Sequence, residues 1–205
     1  HPTPALSHRV GGPSADQRHR PIHVAHHLYV RLSTDDLGAS GDKFRAGRQG
    51  RMIWMDRTAS KRCDPTRVLP GARSVIGLAM NYSHPDACEG LYHVSKYAQG
   101  EDYHRVLGTK LADLCAWIEG RAPGSVSRWY VDTGPVMEKA WAQRAGLGWI
   151  GKHTNLINPR IGSWMFLGTV LTTLELDTDS PGEDGCGTCT LCIDACPTGA
   201  IVEPY

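Results

Sequence analysis

Four cysteines packed into eleven residues constrain this 205-residue chain more than any other feature: Cys186, Cys189, Cys192 and Cys196, the last followed by Pro197. Two-residue gaps let three successive thiolates curl around one 4Fe-4S cubane, and the three-residue step ended by proline throws the fourth sulfur outward toward a second cluster. A zinc site is the competing reading of clustered cysteine. Zinc modules, however, usually join one CxxC to a distant second pair instead of placing four thiols in so short a run.

A two-cluster pattern needs a second cysteine run downstream. Only nine residues follow Cys196, and the other cysteines, Cys63, Cys88 and Cys115, stand isolated without ligand spacing. Each of these reads as a small core or surface residue. The chain begins at His1 instead of methionine, so it reads as a piece of a longer protein.

No run of eighteen apolar residues is present, so no membrane-spanning helix is expected. Clustered ligand-type cysteines point to a reducing compartment, and the cytoplasm is the expected location. A net charge of +1 argues against a protein that merely coats nucleic acid. Between Asp42 and Arg73, however, nine Lys or Arg (Lys43, Arg45, Arg48, Arg51, Arg57, Lys61, Arg62, Arg67, Arg73) face three Asp. That stretch suits phosphates, or simply a solvated basic face.

Residues 1–48 are unassigned. Six of the ten histidines fall before Leu28, and only His26 to Leu32 is apolar enough to pack. His23, His26 and His27 have metal-compatible spacing, but compositional bias alone produces such clusters.

From Gln49 the pattern becomes that of a folded α/β domain ending near Asp177, with 178–205 as the cysteine module. Arg73 to Tyr82, bounded by Pro70-Gly71 and Ser83-His84-Pro85, reads as a buried strand. Glu101 to Arg121 reads as a helix with Tyr103, Leu107, Leu111, Leu114 and Ile118 on one face, ended by Pro123-Gly124. Arg128 to Asp132 reads as a second strand. Thr133-Gly134-Pro135 then opens another helix, with Met137, Ala140, Trp141 and Ala145 on its buried face. Leu156 to Asn158 and Trp164 to Leu176 supply further strands, and Asp177 to Gly185 reads as a linker.

The segments VLPGARSVIGLAMNY, DYHRVLGTKL, VDTGPVMEKAWAQRAGLGWIGKHTNLI, GSWMFLGTVLTTLEL and CGTCTLCIDACPTGAI occur in an order that closely resembles the epoxyqueuosine reductase family. The resemblance covers about Gln49 to Tyr205. It implies an α/β (α+β) fold: a nitroreductase-like sheet with flanking helices forming a cobalamin domain, then the start of a ferredoxin-like iron-sulfur module. It further implies a tRNA-modifying oxidoreductase that reduces epoxyqueuosine to queuosine at the wobble position. Cobalamin and two 4Fe-4S clusters would be its cofactors. The tRNA anticodon loop and an external electron donor would be its partners, and the protein would act as a monomer.

By the same resemblance Asp132 is the proton donor and touches cobalamin, Arg62, Leu156 and Leu167 line the cobalamin pocket, and Cys186, Cys189, Cys192 and Cys196 hold iron. From the residues alone, Asp132 reads as an ordinary helix cap, Arg62 also as one more surface charge, and Leu156 and Leu167 equally as core. Lys152 and His153 are left without roles, and His104 reads as a helix-start residue. A reductive dehalogenase-like corrinoid enzyme and a non-catalytic electron-transfer piece are the alternatives.

Overall fold

The computed structural model describes residues 24–31, 50–83 and 94–204. Its organising element is β2 (Ser74–Asn81), buried at every position up to Met80. A strand hidden on both faces has to be central and covered from both sides. β2 lies between β1 (Val24–Arg31) and β6 (Met165–Thr172), and β3 (Ser127–Tyr130) adds to the far edge of β6, giving the order β1-β2-β6-β3. Every pairing is antiparallel, so the α/β expectation is met in its α+β form.

β1 lies ahead of Gln49, where the folded pattern was expected to begin. It takes its place through backbone pairing that runs from Val24 opposite Met80 to Arg31 opposite Ser74, with a register shift between Ala25 and His27. His23 falls outside the described residues, as do Lys43, Arg45, Arg48 and Cys88.

Side chains alternate across a strand, so β2 serves two cores. Ile76, Leu78 and Met80 meet Leu107, Leu111, Cys115 and Ile118 of α2 (Tyr103–Arg121), together with Val131 and Val170. The α2 stripe is as expected except that Cys115 is buried while Tyr103 and Leu114 are half-buried. Burial pushes the Cys115 thiol up to about 11, which makes it an inert core residue. Asp102 caps α2 by accepting the His104 N–H at 3.0 Å. Close packing needs a glycine on β6: a Cβ at Gly168 would lie 2.8 Å from Leu111.

On the other face, Val75 and Leu171 are covered by Val68, Leu69, Ala72, Val136, Trp141 and Ala145. These come from the chain after α1 (Ile53–Cys63) and from around α3 (Glu138–Arg144). A small hairpin of β4 (Trp149–Ile150) and β5 (Leu156–Ile157) closes this side.

Two boundaries differ from expectation. β3 ends at Tyr130, and the next helix begins at Glu138, not at Thr133. The intervening chain folds tightly back, and a Cβ at Gly134 would collide with the Tyr130 ring. Asp177–Gly185 carries no helix or strand, as expected of a linker.

Candidate active site and cysteine centre

β3 delivers Val131 into the core and leaves Asp132 beyond the strand end. Thr133 N–H donates to the Val131 carbonyl at 2.6 Å, so Asp132 is the centre of a γ-turn, with φ +57°. Positive φ is rare for a residue with a Cβ, and γ-turns of this hand are strained. The turn leaves the Asp132 side chain 70% exposed. Asp132 is therefore not a helix cap, and the helix N-terminus that would have favoured its charge lies six residues on, at Glu138.

The partners of Asp132 come from the first turn of α2. Tyr103 Oη donates to Asp132 Oδ2 at 3.1 Å, and His104 Nε2 stands 3.7 Å from the same oxygen. His104 Nδ1 in turn lies 2.8 Å from Asp102 Oδ1. Burial, then the bond to Asp132 and its charge, push the Tyr103 phenol up to about 12. Tyr103 ends a ladder of rings: it stacks on Phe166 at 4.1 Å and 3°, Phe166 lies 4.4 Å from Tyr82, and Tyr82 meets Trp164 edge-on at 5.9 Å. Reading the sequence missed Tyr103 and gave His104 only its helix-start role. The DYH step next to a helix start was the one available signal.

Behind the turn sits Glu138. Burial pushes its carboxyl up, the charge of Asp132 adds to that, and an Asp132 backbone hydrogen bond opposes it. One oxygen, Oε1, is buried with no hydrogen-bond partner among the described residues. Arg62 is 8% exposed and so is not a surface charge. Its Nη1 donates to the Val136 carbonyl at 3.2 Å, its Nε donates to Thr58 Oγ1 at 3.0 Å, and the guanidinium lies 5.0 Å from the Trp54 ring centre. Arg62 thus braces the loop that carries Asp132.

Leu156, 3% exposed, shares a cluster with Ala79, Ala142, Leu147 and Met165, and the half-buried Leu167 packs against it. The structure therefore brings Arg62 and Asp132 to one loop, and Leu156 and Leu167 to one apolar cluster. An apolar groove of about 700 Å³, lined by Ile76, Leu114, Trp117, Ile118, Leu174 and Leu176 among others, shares no lining residue with the Asp132 group.

The cysteine segment is pinned to the β4–β5 hairpin. Lys152 Nζ donates to the carbonyls of Gly187 at 2.7 Å and Cys189 at 2.9 Å, and Trp149 Nε1 donates to Cys186 Sγ at 3.3 Å. Gly185 lies against the indole, where a Cβ would sit 2.7 Å from the ring. Gly182 N–H donates to the Gln143 carbonyl at 2.8 Å. Lys152, left without a role by its sequence, belongs to this docking surface.

All four thiols of the run are free, and α4 (Leu191–Asp194) carries Cys192 between the others. The backbone N–H of Ile201, with help from Thr198, holds the Cys196 thiol down at about 7. Among the described residues no group of three or more His, Cys, Asp or Glu side chains converges on one point. A cubane offers one iron to each thiolate and asks for no such convergence. The all-sulfur donor set, and backbone N–H groups turned toward a sulfur, suit it.

The family model described as epoxyqueuosine reductase QueG, DUF1730, matches residues 62–133, from Arg62 to just past Asp132. An epoxyqueuosine reductase of Gloeobacter violaceus is 51% identical over 166 residues, covering 80% of this chain and 51% of the relative. Among solved structures, epoxyqueuosine reductase from Streptococcus thermophilus has a TM-score of 0.79 at 31% identity over 88% of this chain and 50% of that one. A crystal structure of epoxyqueuosine reductase with a tRNA-Tyr epoxyqueuosine-modified stem loop has a TM-score of 0.74 at 29% identity, over 89% and 50%. A reductive dehalogenase described with a mechanism for B12-dependent dehalogenation shares the fold at a TM-score of 0.51 and 19% identity, over 82% of this chain and 21% of that one. The chain spans about half the length of the curated relatives it matches. Across that half, the extent of the match, the shared sheet and the position of the matched segment around Asp132 all agree, and the chain belongs to the epoxyqueuosine reductase family.

Proposed function

We propose that this chain forms the reducing part of an enzyme that converts epoxyqueuosine to queuosine in the anticodon loop of tRNA, with Asp132 as proton donor. The observation that carries the proposal is the exposed Asp132 carboxylate, held out on a positive-φ turn and gripped on one oxygen only. Turning an epoxide into an alkene takes two electrons and two protons, and the oxygen leaves as water; one of those protons has to be delivered to the departing oxygen. Cobalamin, when bound, supplies a strong reductant of the kind this step needs, with 4Fe-4S clusters at Cys186, Cys189, Cys192 and Cys196 and an external donor behind it.

The protein's part is to place and hold the proton. Tyr103 occupies Asp132 Oδ2, which leaves Oδ1 to carry the proton toward the epoxide oxygen. With its phenol held up at about 12, Tyr103 stays a donor at neutral pH and keeps the carboxyl oriented. After transfer, His104 can return a proton, because its ring stands between Asp102 and Asp132.

The fit to a corrin is mixed residue by residue. Asp132 and the half-buried Leu167 have surface to offer it, whereas Arg62 and Leu156 support that surface from within. The fold shared with a dehalogenase described as B12-dependent supports the same cofactor.

For the tRNA, Arg51, Arg57 and Lys61 are the exposed basic residues available to phosphate. Arg67 pairs with Asp64 and Arg73 with Glu175. Charge reversal at Arg51, Arg57 and Lys61 should weaken stem-loop binding and flatten its salt dependence. No helix among the described residues is long and apolar enough to cross a membrane; the proposed tRNA substrate supports a cytoplasmic location.

The test is single-turnover reduction of an epoxyqueuosine-bearing stem loop by the natural protein, prepared without oxygen, against D132N. The variant should be slower by roughly 10²–10⁴-fold with stem-loop affinity unchanged. Reduction by D132N at the wild-type rate would refute the assignment.

A further inference from the structure

Among the described residues, the cysteine run and the sheet domain meet at one polar side-chain contact to sulfur, the bond from Trp149 Nε1 to Cys186 Sγ at 3.3 Å. Three neighbours fix the indole there. The β4–β5 pairing sets Trp149 opposite Ile157, Gly185 leaves room for the ring to lie flat against the backbone, and Lys152 holds the carbonyls on either side of Thr188. The other five tryptophans have different surroundings: Trp141 is buried in the core, and Trp54, Trp117, Trp129 and Trp164 are exposed.

An N–H donor on a cluster-ligating sulfur has a direct electrostatic effect. When the cluster takes up one electron its sulfurs become more negative, and a charge-assisted bond to them strengthens. The reduced state gains more than the oxidised state, so the potential rises. The electron stays on the cluster and the indole proton stays on nitrogen, so no further reactant is needed.

We propose that Trp149 is a positioning residue that raises the reduction potential of the iron-sulfur cluster held by Cys186, through an indole N–H bond to that thiolate. This inference rests on the reading of the cysteine run as a cluster site. It assigns to the GWIGKH hairpin the task of matching the nearest cluster to the reductant that feeds it, in addition to holding the module in place.

The experiment uses the natural protein reconstituted anaerobically with iron and sulfide. Iron and acid-labile sulfide content and the EPR of the dithionite-reduced sample come first. Wild-type protein that loads no 4Fe-4S cluster overturns both the cysteine reading and this proposal. With loading established, W149F keeps a ring over Gly185 and removes the donor, and its midpoint potential, from mediated EPR titration, should move to more negative values. A loaded W149F with the wild-type potential overturns the proposal alone. Pulsed EPR on reduced wild-type protein carrying ¹⁵N-indole tryptophan settles the matter even if W149F fails to load. A nitrogen coupling from one indole, with an exchangeable proton, supports the bond, and absence of any such coupling overturns it.

Discussion

Replacing Gly182 with alanine tests how the cysteine segment is held. A Cβ on Gly182 would overlap the carbonyl of Gly148, which is backbone in the turn leading into β4. Backbone cannot yield as a long side chain does, so the penalty exceeds the roughly 1–3 kcal/mol of ordinary overpacking. The alternative is for the segment to lift away. That releases the bonds from Gly182 to Gln143, from Lys152 to Gly187 and Cys189, and from Trp149 to Cys186. At a net 0.5–1.5 kcal/mol each, with the exposed lysine at the low end, detachment costs about 2–4 kcal/mol. Relieving the overlap in place would mean moving the Gly148 backbone out of the turn into β4, so G182A should free the segment and leave the sheet folded.

Hydrogen exchange followed by mass spectrometry reads this directly. Losing about 3 kcal/mol of local protection should speed exchange of the amides around 182–186 by roughly 100-fold, since about 1.4 kcal/mol is a factor of ten. Urea unfolding of the sheet domain should stay within about 0.5 kcal/mol of wild type. Unchanged exchange in that segment, or a loss of several kcal/mol across the whole domain, would refute the reasoning.

Three further outcomes follow from the packing and the charges. Burial holds the Glu138 carboxyl above its usual 4.5. The folded state therefore keeps a proton that the unfolded chain has released, and this contribution is present below 4.5 and lost as pH rises through the folded value. Denaturant unfolding should show wild type losing stability relative to E138Q as pH rises from 4 to 7, and a constant difference would contradict the assignment. L111A removes a side chain 1% exposed in the α2 core. It should destabilise by about 2–5 kcal/mol in urea, and a loss below about 1 kcal/mol would mean the α2 face is not packed as described. At Asp132, alanine and glycine both delete the carboxylate, but only glycine accepts φ +57° freely. D132G should therefore be more stable than D132A by about 1 kcal/mol, and the reverse order would place the residue in ordinary backbone.

The parts of this fold that could be read from sequence are those whose periodicity is set by burial. β2 is a short apolar run because both its faces are covered, and α2 shows a stripe because only one of its faces is. β1 is only partly legible: His26 to Leu32 stands out as apolar enough to pack, but the histidines obscure the alternation and the strand's place is fixed by backbone pairing to a partner some fifty residues away. The helix expected at Thr133 failed for a local reason. Pro135 suits a first helical turn, but the γ-turn at Asp132 and the fold-back of Gly134 over Tyr130 use up those residues first. At the site, the cysteine run stands out as a short motif, whereas Asp132 is singled out through the family resemblance. Tyr103 lies 29 positions from Asp132, and Trp149 lies 37 from Cys186. No spacing rule joins residues so far apart, and only the fold does.

The row of stacked rings predicts unequal mobility for the two sides of the Asp132 site. Tyr103 lies face to face with Phe166, and Phe166 is built into β6, its second residue, opposite Met80 of β2. The phenol is in effect a fixed jaw bolted to the frame. Asp132 sits on a tight turn with open solvent beside it, and is the jaw free to travel. Any rearrangement on binding a substrate should therefore be read as the carboxylate approaching or leaving a stationary hydroxyl. A spectroscopic label near Tyr103 would serve as the reference point, and one on the Asp132 turn would register the stroke.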